Sequence, residues 1–295
     1  MSWVAFAILE LISSQKYSHK RLGCLLGCLI LPHNLELAIL GTSQLKRTFT
    51  LKNPYEICSA ISLASAICTK EIGNCIEDDL GRLLSHSKSC VRRKGCMLAR
   101  RVLLTNPDSG SRIAKLLIEK LADSDTGVLI SATASVLDCA IHYPNLLMAA
   151  IPPLYKLLDN KNNWLVIKAV QGLCSFLKAE ERLYAKLGER LLSLLEVTKA
   201  LSTEMEIYKQ IVKHFSNAPE LLSKVKSKVE NYIENSDSNV RYVGLVILKQ
   251  LLPLNKDLLI MYKDKLVKLF TSGDSAIKTR TLEILGENVS FLFIS

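Results

Sequence analysis

The chain has 295 residues, 49% apolar and 6% aromatic, with a formal net charge of +10, a length that suits two ordinary domains or one long repetitive one. Glycine and proline are sparse, at 13 and 8 residues, and no stretch has the biased composition of segments that resist folding. A disordered chain is therefore excluded, and a predominantly helical protein is expected.

Met1 to Gln15 lacks a basic start and carries Glu10 inside its apolar run, so it is not a secretory signal. Ser2 to Ser14 reads as a helix that needs a predecessor to cover it, as if the chain began in mid-stack. A second helix opens around Lys20 to Gly23. The most hydrophobic segment, Leu22 to Pro32, has about half the length that a membrane-spanning helix needs. A cytosolic compartment is expected, and nine cysteines, an odd number, fit it. Cys24, Cys28, Cys58, Cys68, Cys139 and Cys174 fall on apolar stripes, where a thiol acts as a small hydrophobe. Cys24 and Cys28 lie one helical turn apart, which suits a metal pair, but no nearby Cys or His doublet completes a four-ligand set. Structural thiols are the better reading. Pro54 opens a third helix running to about Thr69.

Lys88 to Pro107 carries six cations. At helical spacing Val91, Gly95, Leu98 and Val102 share one stripe, Arg93 and Arg100 stack opposite, and Lys94 and Arg101 take an adjoining flank. The segment reads as a buried helix whose other face is wet. Arg93, Lys94, Arg100 and Arg101 are expected at the surface.

From here a repeat of about 37 residues runs down the chain. Val91, Val128, Leu165, Val240 and Ile277 occupy equivalent positions. Four residues after each comes a small residue, in order Gly95, Ala132, Ala169, Gly244 and Thr281. Seven before stand Leu84, Leu121, Leu158, Ile233 and Phe270. Eleven before stand Leu80, Leu117, Leu154, Val229 and Leu266. The two earlier columns form the inner stripe of a first helix. Asp125, Asp237 and Asp274 then sit where a carboxylate can cap a second. The small residue lets the two backbones approach. The unit centred on Ser202 keeps a first-helix stripe at Leu191 and Leu195, but its second helix is more polar and slips register. It is read as an irregular repeat, with a bend or a partner seat as the alternative. The chain closes on Val289 to Ser295 without a polar cap. Helix pairs of this kind cannot bury both faces alone and must stack, so the expected fold is all-α, a right-handed α-solenoid of HEAT or armadillo-like hairpins.

No strand or Gly-rich phosphate loop can be placed. His19, His33, His86, His142 and His214 are scattered without a carboxylate or thiol at catalytic spacing, and Glu77, Asp78 and Asp79 diverge around one helix. No catalytic, cofactor-binding or metal-binding residue is assigned, and an enzyme is not expected. Cations without interleaved aromatics do not make a nucleic-acid site, so no nucleic acid is expected as partner. The group Arg93, Lys94, Arg100 and Arg101 is left as a candidate surface for an acidic protein or an acidic phospholipid headgroup.

Particular stretches go further. Tyr17-Ser-His-Lys-Arg-Leu-Gly23 and Cys90-Val-Arg-Arg-Lys-Gly95 resemble two hallmark segments of the large-chain adaptin family. Asn162-Asn-Trp-Leu-Val-Ile-Lys168, Glu180-Glu-Arg-Leu183 and Asp237 to Leu245 look most like its delta branch, the large chain of adaptor protein complex 3. The resemblance implies one trunk-like domain over residues 1–290, incomplete at both ends, with 291–295 a short tail outside the family pattern. It implies a non-enzymatic scaffold of a heterotetrameric clathrin-type adaptor, with sigma, beta and mu subunits as partners. It further implies recruitment by a small Arf-type GTPase and lipid to the cytosolic face of Golgi or endosomal membranes. Cargo bearing sorting signals would be gathered indirectly for lysosomes or vacuoles. The alternatives are an importin-like carrier, disfavoured because only Trp3 and Trp164 are present, and a basic surface binding nucleic acid or lipid.

Overall fold

The computed structural model describes residues 2–255, 257–271 and 273–288, without the side chains of Ser2 and Ser109. Val289 to Ser295, and with it the expected tail, lies outside the described residues. Among those described every regular element is helical. The helices fall in two compact units, residues 1–179 and 180–295.

The first unit holds α1 (Ser2–Ser13), α2 (Tyr17–Ile30), α3 (Leu35–Phe49), α4 (Pro54–Ile67), α5 (Lys70–Leu84), α6 (Ser89–Thr105), α7 (Gly110–Glu119), α8 (Thr126–His142), α9 (Ile151–Leu157) and α10 (Asn163–Ser175). Consecutive helices pair as hairpins, and the even-numbered ones lie side by side in a row from α2 to α10. The second unit repeats the pattern with α11 (Arg182–Val197), α12 (Leu201–His214), α13 (Pro219–Ile233), α14 (Ser238–Leu251), α15 (Asp257–Phe270) and α16 (Ser275–Glu287), where α12, α14 and α16 form the row. Each unit is thus an α-solenoid of stacked hairpins.

The row helices keep time. Their N-cap residues are Lys16, Asn53, Lys88, Asp125 and Asn162 in the first unit and Ala200, Asp237 and Asp274 in the second. Asp125, Asp237 and Asp274 do cap, accepting from the N–H groups of Val128, Asn239 and Ala276 respectively. Asn162 accepts from Trp164 at 3.0 Å. We expect Asn162→Ala to cost about 1 kcal/mol while Asn162→Asp is tolerated, read as faster hydrogen exchange in the first turn of α10. The cap series also reaches back to α2, so the period extends further towards Met1 than the side-chain columns alone reveal.

The inner stripes pack as expected. Leu80, Leu84, Leu117, Leu121, Leu154, Leu158, Val229, Ile233 and Leu266 are all buried. Phe270 departs from its column: it is the last residue of α15, at the rim of the hairpin, and remains 42% exposed. In α6, Val91, Gly95, Leu98 and Val102 are buried together. Where α8 meets α6, Ser131, Ser135 and Cys139 follow one another at single-turn spacing. They donate to the carbonyls of Arg93 at 2.8 Å, Cys96 at 3.1 Å and Arg100 at 3.9 Å. Only small side chains allow two helices so close.

Polar groups also join neighbouring hairpins. Lys20 is almost fully buried on α2, and its Nζ reaches Glu56 Oε2 of α4 at 2.6 Å. Arg92 forms a two-pronged bridge with Asp123, both bonds 2.8 Å, and its guanidinium also donates to the carbonyls of His86 and Ser87. Arg241, at the matching place in α14, donates in the same way to the carbonyls of Asn235 and Ser236. One residue type at one phase of the repeat thus ties down the turn in two separate hairpins.

Candidate interaction surface

The basic helix α6 turns its wet side toward the groove it makes with α8. Arg93, Lys94, Met97 and Arg100 line a cleft of about 400 Å³, closed from the α8 side by Gly127, Ile130 and Ala134. The Arg93 chain runs over Gly127, where a Cβ would lie 3.6 Å from its Cδ. That is an ordinary van der Waals contact, so the arginine stem lies against the backbone at position 127, and the tighter neighbour of an added Cβ would be Asp125 Oδ1 at 3.0 Å. Arg93 is exposed and Lys94 half-buried, and neither enters an ion pair among the described residues. Arg100 is half-buried and bridges to Asp138 of α8. Arg101 is exposed and lies beside Cys68 at the C-terminal end of α4.

The four cations singled out in the sequence therefore do not form one uniform face. Arg93, Lys94 and Arg100 border a single cleft, while Arg101 stands toward α4. Arg100 has a carboxylate of its own, which leaves Arg93, Lys94 and Arg101 as the charges most open to a partner. The reason is geometric. On a helix flanked by neighbours on both sides, residues of adjoining phase face different grooves.

Lys94 also borders a second cleft of about 400 Å³ between α2 and α4, together with Tyr17, Arg21, Leu25 and Tyr55. Aromatics thus accompany two cations here, one repeat away from the segment that carries the charge in sequence. Cys24, Cys28 and Cys58 form part of its wall. Burial pushes the Cys24 thiol up to about 12, and burial with the Cys90 thiol alongside does the same to Cys58. They stay protonated near neutral pH and act as apolar wall rather than nucleophiles. Among the described residues no group of three His, Cys, Asp or Glu side chains converges as a metal set.

Chemically, the pair of clefts offers cations beside apolar side chains, an arrangement suited to receiving acidic groups. No described helix is long and apolar enough to cross a membrane.

Comparison with known proteins places this geometry. The adaptin N terminal region family matches residues 1–290. The AP-3 complex subunit delta-1 of Bos taurus is 28% identical over 298 residues, covering 98% of this chain and 25% of that protein. The AP-3 complex subunit delta of Schizosaccharomyces pombe is 29% identical over 296 residues, covering 98% of this chain and 36% of its own length. A chain of a homology model of the full-length AP-3 complex in an intermediate open conformation superposes with a TM-score of 0.74 at 25% identity, covering 96% of this chain and 50% of that one. The chain thus spans a quarter to about a third of the length of these two curated relatives. The likeness to the delta branch carried by the Asn162 to Lys168 segment agrees with both. By the family match across almost all of its residues, the chain belongs to the adaptin family through its N terminal region.

Proposed function

We propose that the chain serves as a non-enzymatic trunk of an AP-3-type adaptor coat, holding sigma, beta and mu subunits together in vesicle-mediated protein transport. What carries this reading is the similarity to delta subunits over 98% of the chain. A stack of hairpins supports it physically, because such a stack presents long side surfaces built from many short helices. On the same reading the protein is peripheral, on the cytosolic face of Golgi or endosomal membranes, and serves delivery to lysosomes or vacuoles. Arg93, Lys94 and Arg101, with Arg100 behind them, are then the cations that would meet an Arf-type GTPase or acidic headgroups. Residues 1–290 act as one trunk-like domain in this proposal.

The test is co-purification of the tagged chain with co-expressed sigma, beta and mu subunits. The expected result is retention of a sigma-type small chain by both the wild type and an Arg93→Glu, Lys94→Glu double variant, the latter losing only membrane recruitment. A folded chain that retains none of the three subunits would overturn the reading.

A further inference from the structure

The irregular unit holds a pocket that the basic clefts do not share. Between α11 and the start of α13 lies a cavity of about 320 Å³ with a floor of Gly188, Leu192, Phe215 and Leu221. Its volume falls at the small end of ligand-binding pockets, about 300–1,000 Å³, which is room for one or two side chains. Tyr184 flanks it, its ring 4.6 Å from that of Phe215, and its hydroxyl is shut off from solvent with no hydrogen-bond partner among the described residues. Both charged residues on its lining are glutamates, Glu189 from α11 and Glu220 from α13. Each is exposed, and neither takes part in an ion pair among the described residues.

Two features suggest that the space is meant to be filled from outside. Gly188 is not demanded by packing, since a Cβ there would meet Phe215 Cε1 at 3.5 Å and Leu221 Cδ1 at 3.6 Å, ordinary contacts. A glycine inside a helix weakens it, so here it keeps a hollow open where a larger residue would fit. The rim, moreover, is acidic on a chain whose net charge is +10. Cations are therefore drawn to this spot against the overall field.

We propose that this pocket docks a basic peptide segment of a partner protein, one bulky apolar side chain entering over Phe215 while flanking lysines or arginines meet Glu189 and Glu220. The missing side chain of Gly188 on the first helix of the irregular unit is what makes room for it. The pocket stands independently of the adaptor reading, since its lining lies wholly within the second unit and shares no residue with the cationic clefts.

Fluorescence anisotropy with the full chain tests it. The probe is a labelled pentapeptide with a central phenylalanine and two lysines on each side. Controls place glycine at the centre or glutamates on the flanks. Saturable binding of the first peptide alone is expected. It should weaken about tenfold in Gly188→Leu, which fills the hollow, and about tenfold in Glu189→Lys with Glu220→Lys, which reverses the rim. Equal binding of the glycine-centred peptide would reduce the effect to bare charge attraction and overturn the proposal. So would undiminished binding to Gly188→Leu, or no saturable binding by the wild type. Should Gly188→Leu fail to fold, the glutamate pair and the glycine-centred peptide still decide.

Discussion

Arg92→Ala is expected to destabilise the first unit by about 3 kcal/mol, the cost of leaving the Asp123 carboxylate with its charge partner removed in a mostly dry place. The side chains of Arg92 and Asp123 are only 15% and 7% exposed, so solvent does little to replace the lost bridge. Two turn carbonyls, of His86 and Ser87, lose a donor in the same stroke. The hydrogen bonds from Arg92 hold the Asp123 carboxyl below its ordinary range, and that depression fixes the sign of the pH dependence. A carboxylate lowered in the folded state adds stability above its unfolded value, about 3.9, and gives it up as pH falls through the folded one. The gap between wild type and Arg92→Ala should therefore be full at neutral pH and narrow below about pH 4. It should not close entirely, because the bonds to the turn carbonyls do not titrate. Arg92→Lys keeps the charge but not the fork and should fall between the two. Hydrogen exchange of α5 and α6 across that pH range measures this directly. A gap that stays constant down to pH 2 would show that the bridge to Asp123 contributes nothing.

How much of this was open to a reader of the chain alone depends on distance along it. The helix pairs were legible because their evidence is local. Leu80 and Leu84, or Leu117 and Leu121, sit one turn apart, and Asp125, Asp237 and Asp274 precede their helices by a fixed step. The four basic residues were legible as cations but not as individuals. Arg100 looks like Arg93 in sequence, yet its Asp138 lies one repeat away, as Asp123 lies one hairpin away from Arg92. Such partners can be paired only once the phase of neighbouring hairpins is known. Lys20 makes the same point in reverse: a lysine at a core position of α2 is hidden by the carboxylate of Glu56.

The irregular unit shows the limit from the other side. Its cap, Ala200, stands 38 residues after Asn162, where its neighbours are 37 apart. That one added residue brings Thr203 rather than Ser202 to the anchor, buried with its hydroxyl unpaired among the described residues. The slipped register was visible in the sequence. The pocket beside it was not, because Glu189 and Glu220 are brought together by two helices with a third between them. Neither residue belongs to any motif, and Gly188 stood out only once the helices around it were in place.

The glycines supply the second large effect, and they divide by what surrounds them. At Gly244 a Cβ would stand 2.8 Å from Tyr232 Cβ and 3.1 Å from its carbonyl carbon, and at Gly23 it would stand 2.8 Å from the backbone nitrogen of Ile12. Backbone cannot swing aside as a side-chain tip can, so the hairpin must open. Gly244→Ala is expected to cost about 1–3 kcal/mol even though alanine is the better helix former by about 1 kcal/mol, and Gly244→Val more. Gly23→Ala should behave alike in the first unit. At Gly81 of α5 and Gly286 of α16 nothing among the described residues lies within 4 Å of the added carbon. There the alanine change should stabilise by about 0.5–1 kcal/mol, since helix propensity acts unopposed. Chemical denaturation of the four variants measures the contrast, and its sign matters more than its size. Four equal stabilisations would mean that the paired helices stand further apart than described, and the small-residue column would lose its physical cause. Opposite signs within one residue type would show that the close approach of paired backbones, rather than any taste for glycine, sets that column of the repeat.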